Sequence, residues 1–276
     1  MSITTVAIMY DFDKTLTTKD QQEFTFIPDI EMSSEEFWKK SNDLAKDKKM
    51  DSALAYMHCM LNEAKYKNKE ITKDAFVGHG KSLEYFPGVD TWFDRINDYC
   101  LGMGIKAEHY VISSGLREII KGSAIYSKLR EVFACEFLYD ANKVAIWPKN
   151  VVNYTTKTQF VFRINKGALD LSDDDKVNEY VPDDDRTIPF RNMIYIGDGL
   201  TDVPCMKVVK SNGGYSIAVY TDKAKVKEFI SHGRVNFISY ADYSEGGELD
   251  KLVKDILIKI SIEDKLVAIT KEQRAD

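Results

Sequence analysis

Two acidic side chains, Asp11 and Asp13, stand one residue apart where the apolar run Val6-Ala7-Ile8-Met9-Tyr10 ends. A second pair, Asp198 and Asp202, follows another apolar run, Met193-Ile194-Tyr195-Ile196. Just past a strand's end, acids at i and i+2 can both reach one site, and a spacing of four at a helix start puts two groups on one side. Four carboxylates without histidine or thiolate make a set of hard oxygen ligands, suited to a Mg2+ ion that keeps several waters and takes a substrate phosphate. Ser113 and Ser114 close a third apolar run, Tyr110-Val111-Ile112, beside Gly115. There a hydroxyl and free backbone N–H groups at a helix start can hold phosphate oxygens. Lys166, in Asn165-Lys166-Gly167, can supply a fixed positive charge.

These residues need elements that bring them together. Each apolar run, with Ile217-Ala218-Val219-Tyr220 as a fourth, ends in a polar turn and is followed by a helix-like stretch. Strand, polar turn, helix, repeated, argues an α/β protein with a Rossmann-like parallel sheet whose site opens at the strand C-terminal ends. Between the first and second runs lies a segment, residues 18–86, that reads as helices. Ser33-Ser34-Glu35-Glu36 before Phe37-Trp38 is a capping box, and Leu54, Met57, Leu61 and Ala64 recur at helical spacing. Pro87-Gly88 marks the return to the sheet. The expected organisation is a core of 1–17 and 87–276 with a helical cap domain of 18–86 placed as a lid. Leu249, Leu252, Val253, Ile256, Leu257 and Ile260 predict an amphipathic tail helix packed on the core.

The bulk numbers bound the rest. At 276 residues the chain can bury a sizeable core, and its net charge of -6 speaks against general nucleic-acid or anionic-membrane binding. The start lacks a basic and an apolar region, and no apolar stretch approaches a membrane span, so a cytoplasmic location is expected. Cys59, Cys100, Cys135 and Cys205 have no pairing pattern and read as reduced structural thiols; the four histidines lack zinc spacing. The acidic run between Ser172 and Arg186 reads as a solvated loop, because the glycine turn and terminal glutamate of a calcium loop are missing.

Taken in order, the motifs resemble those of the haloacid dehalogenase (HAD) superfamily, and within it the phosphoserine-phosphatase-like branch with a helical C1-type cap. Asp11-Phe12-Asp13-Lys14-Thr15 matches the first motif, DxDxT, and Gly197-Asp198-Gly199-Leu200-Thr201-Asp202 matches the fourth, GDGxxD. Val111-Ile112-Ser113-Ser114-Gly115 is similar to the second, and Lys166-Gly167 to the third. Lys157 competes for the third role, but the Lys-Gly step before Ala168-Leu169, taken as a helix start, favours Lys166. The resemblance implies Asp11 as nucleophile and Asp13 as general acid and base. It implies Mg2+ held by Asp11, Asp198 and the backbone carbonyl of Asp13, with Asp202 as a ligand or a support for one, and Ser113 and Lys166 on the phosphoryl oxygens.

The expected activity is hydrolysis of a small phosphorylated metabolite through an aspartyl-phosphate. The alternatives are a phosphotransferase or mutase of the same family, or a catalytically weak Mg2+- and phosphate-binding regulatory module. Asp20 lies where the family places an acid for a substrate amine. No arginine occurs between Met1 and Asp94, which speaks against phosphoserine itself, whose carboxylate suits a guanidinium, with Lys39 or Lys40 as the partial substitutes on offer.

Overall fold

The computed structural model describes residues 3–69 and 71–275. Its centre is a seven-stranded sheet of order β4-β3-β2-β1-β5-β6-β7. The strands are β1 (Thr4–Tyr10), β2 (Ile105–Leu116), β3 (Glu131–Tyr139), β4 (Ala145–Asn150), β5 (Met193–Gly197), β6 (Tyr215–Tyr220) and β7 (Phe237–Tyr240). All neighbours pair in parallel except β3 and β4, so the sheet is mostly parallel with one antiparallel edge strand. Four of the strands, β1, β2, β5 and β6, are the apolar runs of the sequence; β3, β4 and β7 are additional. Residues Val6 to Tyr10 and Met193 to Gly197 are fully buried, the burial on both faces that a central parallel strand requires.

The strand order reverses at β1, which lies between β2 and β5. Crevices of open α/β sheets form at such a switch point, outside the strand C-termini. The β1–β5 ladder runs one residue past the strand: the Asp11 N–H donates to the Ile196 carbonyl at 2.9 Å, which fixes the acid at the crevice floor.

Between β1 and the helix Val89–Gly102 the chain forms helices, the main ones being α1 (Ser34–Lys48), α2 (Ser52–Tyr66) and α3 (Lys73–His79). The expected capping box is present on α1: Ser33 accepts from the Glu36 N–H while Glu36 accepts from the Ser33 N–H. The two chain segments entering and leaving this insert pair with each other. Thr17 and Tyr85 form an antiparallel bridge, with Thr18 N–H to Glu84 O at 3.0 Å and Phe86 N–H to Leu16 O at 3.0 Å. Two further bonds tie the insert to the core: the Tyr56 hydroxyl donates to the Ser114 carbonyl at 2.7 Å, and Asn153 Nδ2 donates to Asp51 Oδ2 at 2.8 Å. The tail forms one long helix, Glu248–Ala275, whose Leu249, Val253, Ile256, Leu257 and Ile260 are buried as the pattern required. All four cysteines are buried and free, and no described helix is long and apolar enough to cross a membrane.

Behind β1 lies a buried polar chain. Trp92 Nε1 donates to the Tyr10 hydroxyl at 2.8 Å, Tyr10 lies 3.0 Å from His109 Nδ1, and His109 Nε2 lies 3.3 Å from Asn97 Oδ1. Because the tryptophan can only donate, Tyr10 passes its own hydrogen to Nδ1, and the neutral imidazole keeps its hydrogen on Nε2 for Asn97. Burial pushes the His109 pKa down to about 3, against a weaker upward pull from Asp94. The unfolded chain takes up a proton at this residue below about pH 6.5 while the folded one does not, so stability falls as pH drops from about 6.5 toward 3. His109→Gln should flatten that part of the stability curve by up to about 1.4 kcal/mol per pH unit, measured by urea unfolding of both proteins from pH 7 to 4.5.

Candidate active site

The loop after β1 is shaped by its own backbone. The Phe12 carbonyl accepts from the N–H groups of Leu16 and Thr17 at 2.9 and 3.2 Å, and Lys14 adopts a left-handed φ of 58°. This tight turn separates the two acids that the sequence sets side by side.

Asp11 faces a buried cluster. Lys157 Nζ lies 2.7 Å from Asp11 Oδ1 and 2.7 Å from Asp202 Oδ1, and the lysine is 1% exposed. Carboxylate oxygens of Asp11, Asp198 and Asp202 all lie within 4.8 Å of one another. Asp202 is held by the Tyr195 hydroxyl at 2.9 Å and the Gly199 N–H at 3.3 Å. It also needs the glycine before it in the motif: a Cβ on Gly197 would come within 2.6 Å of the Asp202 carboxyl carbon. Thr15 Oγ1 stands 3.5 Å from Asp198.

Three carboxylates surround one ammonium, and their protons respond. Burial, then the charge of Asp202, raises the Asp11 pKa well above the usual carboxylate range, with Lys157 pulling the other way. Burial and Asp202 likewise push Asp198 up to about 7. Burial lowers the Lys157 pKa, but the attraction of Asp11 and Asp202 outweighs it and leaves the lysine raised, hence charged. Hard oxygen donors with negative charge in excess are what a small divalent cation requires, so the residues present fit Mg2+.

Asp13 sits apart from this cluster. The Gln21 backbone N–H donates to its Oδ1 at 2.7 Å and Gln21 Nε2 to its Oδ2 at 3.2 Å, while Gln21 Oε1 accepts from the Leu116 N–H at 3.1 Å. Gln21 thus clamps the Asp13 carboxyl to the end of β2. Gly115 leaves the room: a Cβ there would fall 1.8 Å from Gln21 Nε2. Burial, with the charge of Asp20, raises the Asp13 pKa to about 7 despite the Gln21 bonds. Asp20 itself holds Lys14 at 2.5 Å.

Of the remaining expected residues, Ser113 is buried and its Oγ accepts from the Gly115 N–H at 2.9 Å. Ser114 lines a cavity of about 300 Å3 together with Asp11, Asp13, Lys157 and Asp198. Lys166 is corrected. Its Nζ donates to the carbonyls of Val177 and Glu179 at 2.6 and 2.7 Å, and Lys157 takes the place expected of it. The helix Lys157–Lys166 explains why: Gly167, with φ 68°, is its left-handed C-terminal stop, not the approach to a new helix. A lysine in a last turn is ordinary, whereas one in a first turn opposes the helix dipole and needs a reason to be there. That signal was available at Lys157. Gln21 had none, since a glutamine in a polar loop looks like any other.

A mostly parallel sheet with carboxylates converging at its switch point defines an α/β protein with an acidic site at the strand C-terminal ends. The family model described as haloacid dehalogenase-like hydrolase matches residues 8–207, and the chain belongs to that family. An uncharacterized protein of Borreliella burgdorferi is 29% identical over 280 residues, covering 88% of this chain and 93% of its own. Among solved structures, a HAD-family hydrolase from Salmonella enterica serovar Typhi superposes with a TM-score of 0.61 at 16% identity, over 90% of this chain and 69% of that one. A phosphoserine phosphatase solved as a phospho-aspartyl intermediate analogue gives 0.56 at 15% identity, over 91% and 98% of the two chains. These likenesses are to the fold.

The two lysines make a direct test. Lys157→Met leaves buried carboxylates without their counter-charge and should cost about 3 to 5 kcal/mol, partly recovered by added Mg2+. Lys166→Met removes a half-exposed ammonium from two carbonyls and should cost about 1 kcal/mol. Thermal unfolding of both variants with and without Mg2+ reads the difference.

Proposed function

We propose that the protein is a Mg2+-dependent phosphomonoesterase that hydrolyses a small phosphate ester through an aspartyl-phosphate on Asp11. The observation that carries this reading is the unequal treatment of two neighbouring acids. Asp11 faces a lysine 2.7 Å away, while Asp13 is turned to Gln21 with its pKa raised to about 7. One acid held by an ammonium and the other by an amide is the division that suits a nucleophile beside a proton carrier.

In the first step the Asp11 carboxylate attacks phosphorus, the bond to the leaving oxygen breaks, and Asp13 delivers its proton to that oxygen. In the second, a water attacks the same phosphorus, Asp13 takes back a proton, and the bond to Asp11 breaks to release inorganic phosphate. Asp11, Asp198 and the main-chain carbonyl of Asp13 would hold Mg2+, supported by Asp202, and the ion would offset repulsion between an anionic nucleophile and an anionic ester. The Lys157 ammonium holds Asp11 and faces the phosphoryl oxygens. Ser113, whose oxygen already accepts from Gly115, keeps its hydroxyl hydrogen to donate, and Ser114 lines the cavity wall. Gln21 positions Asp13. Residues 18–86 act as the cap over this site and 1–17 with 87–276 as the core domain.

Turnover of p-nitrophenyl phosphate should require Mg2+ and be lost in Asp11→Asn. Asp13→Asn should release about one equivalent of nitrophenol in a burst and then stall, because this leaving group needs little protonation while hydrolysis of the phosphoenzyme needs the base. With alkyl phosphates the same variant should be slower by about 10²- to 10⁴-fold throughout. Steady turnover by Asp11→Asn, or activity indifferent to a chelator, would sink the proposal.

A further inference from the structure

A second cavity of about 200 Å3 adjoins the carboxylate site and shares Asp13, Asp20, Ser114 and Thr201 with it. It extends under the insert, so the part of an ester beyond its phosphate would occupy it. Its chemistry is one-sided. The lining includes the acids Asp13 and Asp20 and, among the described residues, no lysine, arginine or histidine. Of the two lysines lining the adjoining carboxylate cavity, Lys14 is bound to Asp20, and Lys157 to Asp11 and Asp202.

Two aromatic walls meet in this cavity. Trp38 and Tyr56 have ring centroids 6.1 Å apart at an interplanar angle of 69°. Both polar atoms are already used: Trp38 Nε1 donates to Glu23 Oε1 at 2.6 Å and the Tyr56 hydroxyl to the Ser114 carbonyl. What remains for a ligand is ring surface. Gln22, 2% exposed, also lines the cavity, and its Oε1 is buried with no hydrogen-bond partner. A buried carbonyl oxygen without a donor is costly and is relieved by a ligand that brings one.

We infer that the cavity selects monophosphates of a compact alcohol that carries hydrogen-bond donors, amino or hydroxyl, and no negative charge besides the phosphate. This deepens the phosphomonoesterase reading and rests on it only for the direction in which the ester lies. A carboxylate or second phosphate placed here finds no lining cation, Lys14 being held by Asp20, whereas an ammonium meets the carboxyl oxygens of Asp13 and Asp20 and the aromatic faces, and a hydroxyl brings to the wall at Gln22 the donor it lacks.

The test is binding, measured by calorimetry with Mg2+ on the Asp11→Asn variant, so that no ester is consumed. Phosphoethanolamine and glycerol 1-phosphate should each bind at least tenfold tighter than phosphoglycolate and phosphoserine, and the ratio of the first two separates the ammonium from the hydroxyl source. Asn42→Arg, which puts a cation on the wall at an exposed helix position, should narrow the gap by improving the two carboxylated esters. Gln22→Leu should weaken the donor-bearing esters several-fold more than ethyl phosphate. Carboxylated esters that bind as well as the others, or no measurable binding of any ester, would overturn the inference. Failure of the phosphatase reading is distinct: the binding preference would hold while wild-type protein released no phosphate from any ester.

Discussion

One ammonium group organises the site. Lys157 lies between Asp11 and Asp202, and its charge permits acids from two strand ends to share a buried space. Remove it and the cluster must take up protons or open. Its own position follows from a loop. Asn153 accepts from the Thr155 and Thr156 N–H groups just before the helix that begins at Lys157, and donates to Asp51 in the insert. The lysine is therefore placed by the same side chain that fastens the insert to the core.

Much of this architecture was legible in the chain, and the reasons are physical. Buried parallel strands must be apolar throughout and must end in the polar residues of the site, so β1, β2, β5 and β6 announced themselves with their acids and serines attached. Two of the three strands that escaped had weaker rules to obey. β4 contains Pro148, β7 has four residues, and both lie at sheet edges where a regular pattern is not demanded. The tail helix and the capping box of the insert were visible because periodicity and capping are local properties.

The third-motif lysine was not settled by local properties. Lys-Gly looks like the approach to a helix but is the end of one, and no window around Lys166 reveals that its ammonium is occupied by carbonyls from the acidic loop. That loop has an internal role as well: Arg163, buried in the preceding helix, donates to the carbonyls of Asp170, Leu171 and Asp173 within it. Gln21 illustrates the other limit. Its importance comes from reaching Asp13 and Leu116 at once, a relation between distant parts of the chain that no spacing encodes.

The paired segments at the base of the insert set the mechanics of the whole protein. Because Leu16 to Thr18 and Glu84 to Phe86 are hydrogen-bonded to each other, the insert hangs from a two-stranded ribbon, not from two independent tethers. A ribbon resists shear within its plane, so the two segments at the base of the insert hold one register with each other. The ribbon begins three residues after Asp13, so strain on the insert reaches first the turn that carries this acid.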